Sequence, residues 1–253
     1  MEHQEDISRS LMESVANDYT TDSLIDLSQS LLNDGFEVLK NSEILNQIPV
    51  IKILAAGVKG VSSFQDRRYT SKILRFMSET AKADDEDKIK YRAKLDADPE
   101  EVRKAGEEIL DILDKITSAE KAIMIGQVFR AYMHEDEITT NLLVYLCEII
   151  ERAYLKDLTD LGNNTVTNDV NLENVGIKKP VRIEDINNVV QRAVDQAVAK
   201  ATSQSGVVRE APATVQLARL ESIKLAPSHI QIKQSGLTQE GYTLQRILQT
   251  YKR

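Results

Sequence analysis

Side chains that could carry acid–base or metal chemistry are few in this sequence and stand far apart. The three histidines are His3, His134 and His229, and none has a second histidine or cysteine at the spacing of a metal site. Cys147 is the single cysteine, so the sequence offers neither an internal disulfide nor a zinc site built from cysteines. Because it follows an apolar run, we expect an inert core thiol rather than a nucleophile.

Acidic residues cluster in three places, and each cluster has an ordinary structural interpretation. His134 precedes three acids, which suits an acid–base pair, but the cluster falls between two predicted helices, where exposed charges are common. Residues 84–87 are consecutive acids whose side chains would point in different directions around a helix. Asp111 and Asp114 lie one helical turn apart on a solvated face. We predict no catalytic site, no metal site, no cofactor and no enzyme activity.

Known phosphate-binding and nucleophile motifs are absent from the sequence. It contains no phosphate loop of the Gly-x-x-x-x-Gly-Lys type, no dinucleotide fingerprint and no Gly-x-Ser-x-Gly elbow. The net charge of −8 also disfavours a protein that coats nucleic acid indiscriminately, because phosphate binding needs clustered cations. The charge alternates along the chain, with acidic blocks at 1–50 and 97–161 and basic blocks at 51–96 and 162–253.

The most basic stretch of the chain overlaps its most apolar one. Residues 48–61 are apolar apart from two lysines, but a bilayer span takes about 20 apolar residues, so no membrane span is expected. Residues 52–75 hold several cations and a single anion, Asp66. We predict that these cations form a contact surface; they are Lys52, Lys59, Arg67, Arg68, Lys72 and Arg75. Two alternatives stay open, a solvated helix face and a helix lying on a membrane surface over residues 48–76.

Apolar residues recur at helical spacing along most of the chain, which predicts a mainly α-helical protein. An amphipathic helix is expected over residues 22–40. The clearest helix start is Asp98 followed by Pro99, which combines an N-cap with proline at the first helical position. The scarcity of aromatic residues leaves Ile, Leu, Val and Ala to fill the core, which suits helix packing.

Two more helices are predicted to follow the one that starts at Pro99. Thr117 and Glu120 match a capping box that would open the first of them. The second is expected over residues 138–161, ended by a left-handed Gly162. Because the connecting turns are very short, we expect the three helices to pack as an antiparallel bundle.

The same reading divides the chain into four parts. We expect an acidic N-terminal segment (1–21), a helical bundle domain (22–162), a polar linker (163–180) and a C-terminal domain (181–253). In the last part, apolar residues at 183–198 keep helical spacing almost without error. Such a stripe suits bundle packing or a homo-oligomer.

The end of the chain resembles the end of bacterial winged-helix domains, over roughly residues 213–253. In that family a helix is followed by a short β wing and by a Leu-Thr-x-x-Gly turn into a closing helix. The matching residues are Arg219-Leu220-Glu221, the alternating strand Ile230–Lys233, and Leu237-Thr238-Gln239-Glu240-Gly241. The chain has Lys224-Leu225 where the family usually has a Gly–Leu pair.

The winged-helix resemblance implies a small α+β C-terminal part beside the helical bundle. It also implies a nucleic-acid contact, for which the candidates are Arg219, Lys224 and Lys233. The helix that would enter a major groove spans 212–224 and holds two of these cations, which is little for reading DNA. We therefore favour protein docking over nucleic-acid binding for this part.

The bundle at 98–162 and the basic, apolar segment before it also look like uncharacterised helical proteins carried by bacteria and their prophages. Some of these proteins are thought to act in phage defence or superinfection exclusion. The resemblance implies a protein partner that a phage encodes.

Taken with the missing catalytic motifs, these patterns predict a non-enzymatic protein-interaction protein. The acidic start of the sequence, Met1–Asp6, lacks the order of a secretory signal, and the lone cysteine suits a reducing compartment, so we expect a cytoplasmic location. Two alternatives stay open, a winged-helix DNA-binding transcriptional regulator and a peripheral membrane-surface protein.

Overall fold

The computed structural model describes residues 2–34, 48–57, 63–165, 169–179, 195 and 236–251. The mainly α-helical class predicted from the sequence is confirmed for this part of the chain. Its helices are α1 (Glu2–Val15), α2 (Thr21–Asp34), α3 (Pro49–Gly57), α4 (Phe64–Thr80), α5 (Asp85–Ala97), α6 (Pro99–Lys115), α7 (Ala119–His134), α8 (Thr140–Arg152), α9 (Leu155–Gly162), α10 (Asp169–Asn174) and α11 (Gln239–Thr250).

The chain forms two compact units. The helical unit comprises Met1–Ile177 and Thr238–Arg253, and the inserted unit comprises Lys178–Leu237. The helix that follows the Leu-Thr-x-x-Gly turn, which we expected in a C-terminal domain, is α11 and belongs to the helical unit.

Helix α7 lies at the centre of the helical unit, where it packs against α4, α5, α8 and α11. A Cβ at its Gly126 would stand 2.6 Å from the Cβ of Glu79, so only glycine permits this close crossing with α4. Phe129 meets Phe76 and Tyr91 edge to face, with ring centroids 5.5 and 5.3 Å apart. This is a geometry that aromatic rings prefer, and it fixes how α4, α5 and α7 pack together.

Side-chain caps set the starts of α6 and α8. The Asp98 side chain accepts a hydrogen bond from the N–H of Glu101, and Pro99 occupies the first helical position. Thr139 caps α8 through the N–H of Leu142. The predicted start at Asp98 and Pro99 is confirmed, and both caps lie within three residues of their partners.

Two predicted caps are wrong. Helix α7 is capped by Ser118, whose hydroxyl accepts from the N–H of Lys121, and not by Thr117. The left-handed residue after α9 is Asn164, with φ of 58°, and not Gly162. A Cβ at Gly162 would lie 3.3 Å from that of Leu248, so this glycine serves the close approach of α11.

The single helix predicted over residues 138–161 is also wrong, because the chain breaks into α8 and α9. Ala153 and Tyr154 adopt extended backbone between the two helices. The ammonium of Lys121 donates to the carbonyl of Glu151 at 2.7 Å. This bond occupies a backbone acceptor near the end of α8. The hydrophobic pattern continues across this break and therefore did not reveal it.

Residues 2–15, which we expected within a separate acidic segment, form α1 and pack against α6 and α3. Leu11, Met12 and Val15 are buried at helical spacing. A Cβ at Gly106 of α6 would stand 2.9 Å from the Cγ of Met12, so the two helices approach closely. The start of the chain is thus part of the helical core.

The described residues of the inserted unit are 178, 179, 195, 236 and 237. Lys178 and Leu237 form an antiparallel β-bridge, and the N–H of Lys179 donates to the carbonyl of Gly236 at 3.1 Å. The predicted stripe at 183–198, apart from Asp195, and the predicted strand at 230–233 lie outside the described residues. The inserted unit therefore begins and ends in one short antiparallel pair.

Candidate functional site

The predicted basic contact surface lies mainly along α4, which carries Arg67, Arg68, Lys72 and Arg75. Lys52 is exposed on α3, and Lys59 lies outside the described residues. These cations differ in what they bind, and that difference decides which are available to a partner.

Lys72 and Arg68 bind the C-terminal end of α6. Lys72 is only 8% exposed, and its Nζ donates to the carbonyls of Asp114 at 2.8 Å and Ile116 at 3.1 Å. Arg68 donates from Nη2 to the carbonyl of Thr117 at 2.8 Å. The last carbonyls of a helix lack intrahelical donors and carry partial negative charge, so cations stabilise this end. Burial lowers the pKa of Lys72, although the nearby Asp114 opposes that shift.

The same arrangement recurs at other helix ends. Lys121 binds the end of α8 through Glu151, and Lys94 donates to the carbonyl of Tyr132 in the last turn of α7 at 2.8 Å. Lys94 also lies 4.6 Å from the Tyr132 ring centroid, within range of a cation–π interaction. Lys72, Lys94 and Lys121 therefore each join one helix to the end of another.

The first turn of α4 presents an aromatic side chain beside two cations. Phe64 is 59% exposed, and the guanidinium carbons of Arg67 and Arg68 each lie 5.8 Å from its ring centroid. A reciprocal capping box between Ser63 and Asp66 fixes this turn. Arginine and aromatic residues are enriched among the side chains that dominate binding at protein interfaces. Within the predicted basic surface, the first turn of α4 therefore presents an exposed aromatic ring with two arginines beside it.

Arg75, further along α4, serves an internal contact. Its Nε donates to the hydroxyl of Ser28 on α2 at 3.1 Å, and Ser28 also hydrogen-bonds with Ser71 at 2.7 Å. These bonds join the two helices at a polar contact in a largely apolar interface.

The membrane-surface hypothesis requires the apolar residues of the segment 48–76 to face outward, but the first of them are buried. Ile48, Val50 and Ile51 are fully buried, and α3 packs against α1. These side chains are already buried within the fold and are therefore not available to contact a lipid surface. Among the helices that the structure describes, none is both long and apolar enough to cross a bilayer.

Two of the acidic clusters, at 84–87 and 134–137, have partners within the fold. His134 Nδ1 lies 2.8 Å from a carboxylate oxygen of Asp87, and Glu135 binds Arg246 of α11 through two contacts of 2.6 Å. The thiol of Cys147 is fully buried, and burial raises its pKa. Within the described ranges, no group of three or more His, Cys, Asp or Glu side chains could hold a metal ion.

A groove of about 360 Å³ runs between α6 and α8. Its floor holds Ala105 and Val144, while Tyr145, 39% exposed, forms part of one wall. The other residues that line it are charged or polar: Glu101, Lys104, Glu108, Thr140, Asn141 and Glu148. No local sequence pattern predicts this groove, because its two walls come from helices that α7 separates in the chain.

The chain leaves and re-enters the helical unit at neighbouring residues. The N–H of Thr238 donates to the carbonyl of Ile177 at 2.8 Å, and the Thr238 hydroxyl donates to the carbonyl of Gly176 at 2.9 Å. A Cβ at Gly241 would stand 2.2 Å from the Ile177 oxygen, so the approach requires glycine. We call this pairing the root of the inserted unit.

Helix α11 is fixed to the helical unit beyond the root. Leu244, Ile247 and Leu248 are buried. The side chain of Gln127 donates to the carbonyl of Tyr251 at 3.1 Å, so the end of α11 is held by the central helix. The helix that follows the root in the chain is therefore packed firmly into the helical unit.

The residues proposed for nucleic-acid contact, Arg219, Lys224 and Lys233, lie outside the described residues. The described part of the winged-helix resemblance is residues 236–251, which hold the turn at 237–241 and the closing helix α11. Thr238 caps α11 by accepting from the N–H of Gly241. That turn packs against Ile177 and forms the root.

No protein-family model, curated protein or solved structure matches this chain.

Proposed function

We propose that this protein is a non-enzymatic interaction protein in which the helical unit carries the inserted unit and the inserted unit binds a protein partner. The root is the observation that best supports the proposal, because Ile177 and Thr238 are hydrogen-bonded neighbours. Proteins tolerate insertions at such points and commonly place recognition surfaces on segments held by a rigid scaffold.

The buried charges of the helical unit support a carrier role. Lys72 and Lys121 bind backbone carbonyls. The side chain of Glu79 is 2% exposed and binds Lys82 at 2.6 Å and Arg130 at 2.7 Å. Charges paired in this way hold helices in register, which is the task of a scaffold.

The inserted unit supplies the contact surface in this proposal. The apolar stripe at 183–198 suits a partner helix or a second copy of the chain. Of the winged-helix-like part at 213–253, residues 213–237 belong to the inserted unit, and these would dock protein rather than read DNA. The resemblance to prophage-carried helical proteins makes a phage-encoded protein in the cytoplasm the first partner to test, with phage defence or superinfection exclusion as the biological role.

The root allows the inserted unit to be removed cleanly. Residues 180–235 are replaced by Asn-Gly, which favours the tight turn that joins two antiparallel strands. Lys179 and Gly236 are already hydrogen-bonded, so the new turn closes a pairing that exists. We expect the full chain to retain one dominant protein partner from infected cells, read by mass spectrometry, and the deletion variant to lose it.

Folding of the deletion variant is checked through Cys147. Because this thiol is fully buried, it should stay unreactive towards a thiol reagent in both proteins until urea is added. Undiminished capture by a folded deletion variant would contradict the proposal. Capture of DNA or lipid in place of a protein would favour the regulator or the membrane-surface alternative.

A further inference from the structure

The groove between α6 and α8 has unequal charge. Three glutamates line it against one lysine, and Lys104 lies 3.8 Å from Glu100, outside the lining set. Glu148 forms an ion pair with Arg152 at 2.8 Å. Glu101 and Glu108 are exposed, and neither forms an ion pair with another described residue.

The two exposed glutamates have a defined spacing. Glu101 and Glu108 are seven residues apart, which places them on the same face of α6 at about 10.5 Å along the helix axis. Between them lies the apolar floor, formed by Ala105 and, from α8, Val144. The groove thus offers two exposed carboxylates separated by apolar surface, with Lys104 between them in the sequence and paired with Glu100 outside the lining.

From this pattern we infer that the groove binds an amphipathic basic helix of a protein partner, with Lys or Arg at positions i and i+7 and apolar residues at i+3 and i+4. The cations would pair with Glu101 and Glu108 while the apolar residues cover Ala105 and Val144. This inference rests on the proposed function, since it names a second surface for a protein partner.

A helix fits this spacing better than an extended peptide. Residues i and i+7 of a helix lie on one face at about 10.5 Å, which matches the two carboxylates. In an extended chain, residues i and i+3 span about 10 Å but point to opposite faces. The partner helix would lie along α6 and α8 as an additional helix packed against both.

The test uses the full-length protein and two alanine-based helical peptides of identical composition. The first peptide has Lys at i and i+7 with Leu at i+3 and i+4. The second has its second Lys moved to i+5, on another face. Fluorescence anisotropy at low salt should give up to about fivefold tighter binding of the first peptide, because moving one Lys removes one of the two exposed ion pairs.

Matched variants assign the binding to the groove. E101Q/E108Q removes two negative charges from the groove and should abolish the preference for the first peptide. E120Q/D26N removes two from exposed positions elsewhere and should preserve it. Equal binding of the two peptides, an equal loss in the control variant, or displacement of the first peptide by spermidine at matched charge concentration would overturn the inference.

The same E101Q/E108Q protein is used in the partner-capture experiment. A lost peptide preference with reduced capture would support the groove as a second contact for the partner. If wild-type protein shows no peptide preference while capture persists and depends on the inserted unit, the groove inference fails and the proposed function stands. If the peptide preference is present but no protein is captured, the groove inference stands and the proposed function fails.

Discussion

The basic surface of α4 and the acidic groove between α6 and α8 carry opposite charges, and they differ more in what those charges bind. Lys72 and Arg68 donate to carbonyls at the end of α6. Glu101 and Glu108 have no ion-pair partner among the described residues. A cluster of charge in a sequence therefore does not by itself identify a contact surface. The partners available within the fold decide whether a charge stabilises the protein or remains available for binding.

The largest effect should come from removing the ammonium of Lys72. Lys72→Met keeps the length of the side chain but leaves the carbonyls of Asp114 and Ile116 without their donor. We expect the free energy of unfolding to fall by about 1–3 kcal/mol, measured by urea denaturation. The matched control is Lys52→Met, which alters an exposed lysine and should change stability by less than about 0.5 kcal/mol. Equal losses of unfolding free energy in the two variants would contradict a stabilising role that is specific to the buried Lys72.

A smaller loss is expected at Arg68, whose guanidinium is more exposed. Arg68→Met removes the donor to the Thr117 carbonyl, which water can partly replace. The free energy of unfolding should fall by about 0.5–1 kcal/mol in the same urea titration. A loss as large as that of Lys72→Met would mean that the exposure of a cation does not determine how much its hydrogen bonds contribute to stability.

The groove carboxylates should contribute almost nothing to stability. E101Q/E108Q removes two exposed charges that have no ionic partner among the described residues, so the free energy of unfolding should change by less than about 0.5 kcal/mol. The measurement is again urea denaturation, with E120Q/D26N as the control. A loss above about 1 kcal/mol would assign these glutamates to the fold and weaken their assignment to binding.

The smallest effect is the pH dependence that Lys72 contributes. Burial lowers its pKa in the folded protein below the ordinary value of 10.5. At a pH between the lowered pKa of the folded protein and the ordinary pKa, the unfolded chain binds more protons at Lys72 than the folded protein does. The contribution of Lys72 to stability therefore increases as pH rises through this window. The difference in unfolding free energy between wild type and Lys72→Met should therefore grow in favour of wild type over that window. A constant or shrinking difference would contradict the shift.

How much of the fold the sequence predicted depended on the distance between interacting residues. Asp98 and Pro99 started α6 as predicted, because a cap and its partner lie within one turn. Lys72 looked like a surface cation because its acceptor at Asp114 is 42 residues away. Gly162 was expected to be left-handed, whereas it is the last helical residue of α9 and admits Leu248 of α11.

The candidate sites followed the same rule. Lys52 was placed in a basic, apolar surface from its neighbours alone, and it is exposed. The groove required the packing of α6 against α8, which no local pattern contains. A usable signal existed in the repeat of Glu101 and Glu108 at seven residues, but it acquires meaning only when Val144 is known to lie opposite.

The root has a consequence for how the protein is made on the ribosome. Residues 1–177 emerge first, and α11 emerges only after the whole of 178–237 has been synthesised. Until then, the surface that Leu244, Ile247 and Leu248 will cover stays open to other apolar segments. Closing a longer intervening segment adds only a logarithmic entropic cost, so the length of the insertion delays completion more than it weakens the product. The nascent chain therefore passes through a period in which a chaperone, or α11 of another copy, can compete for that site.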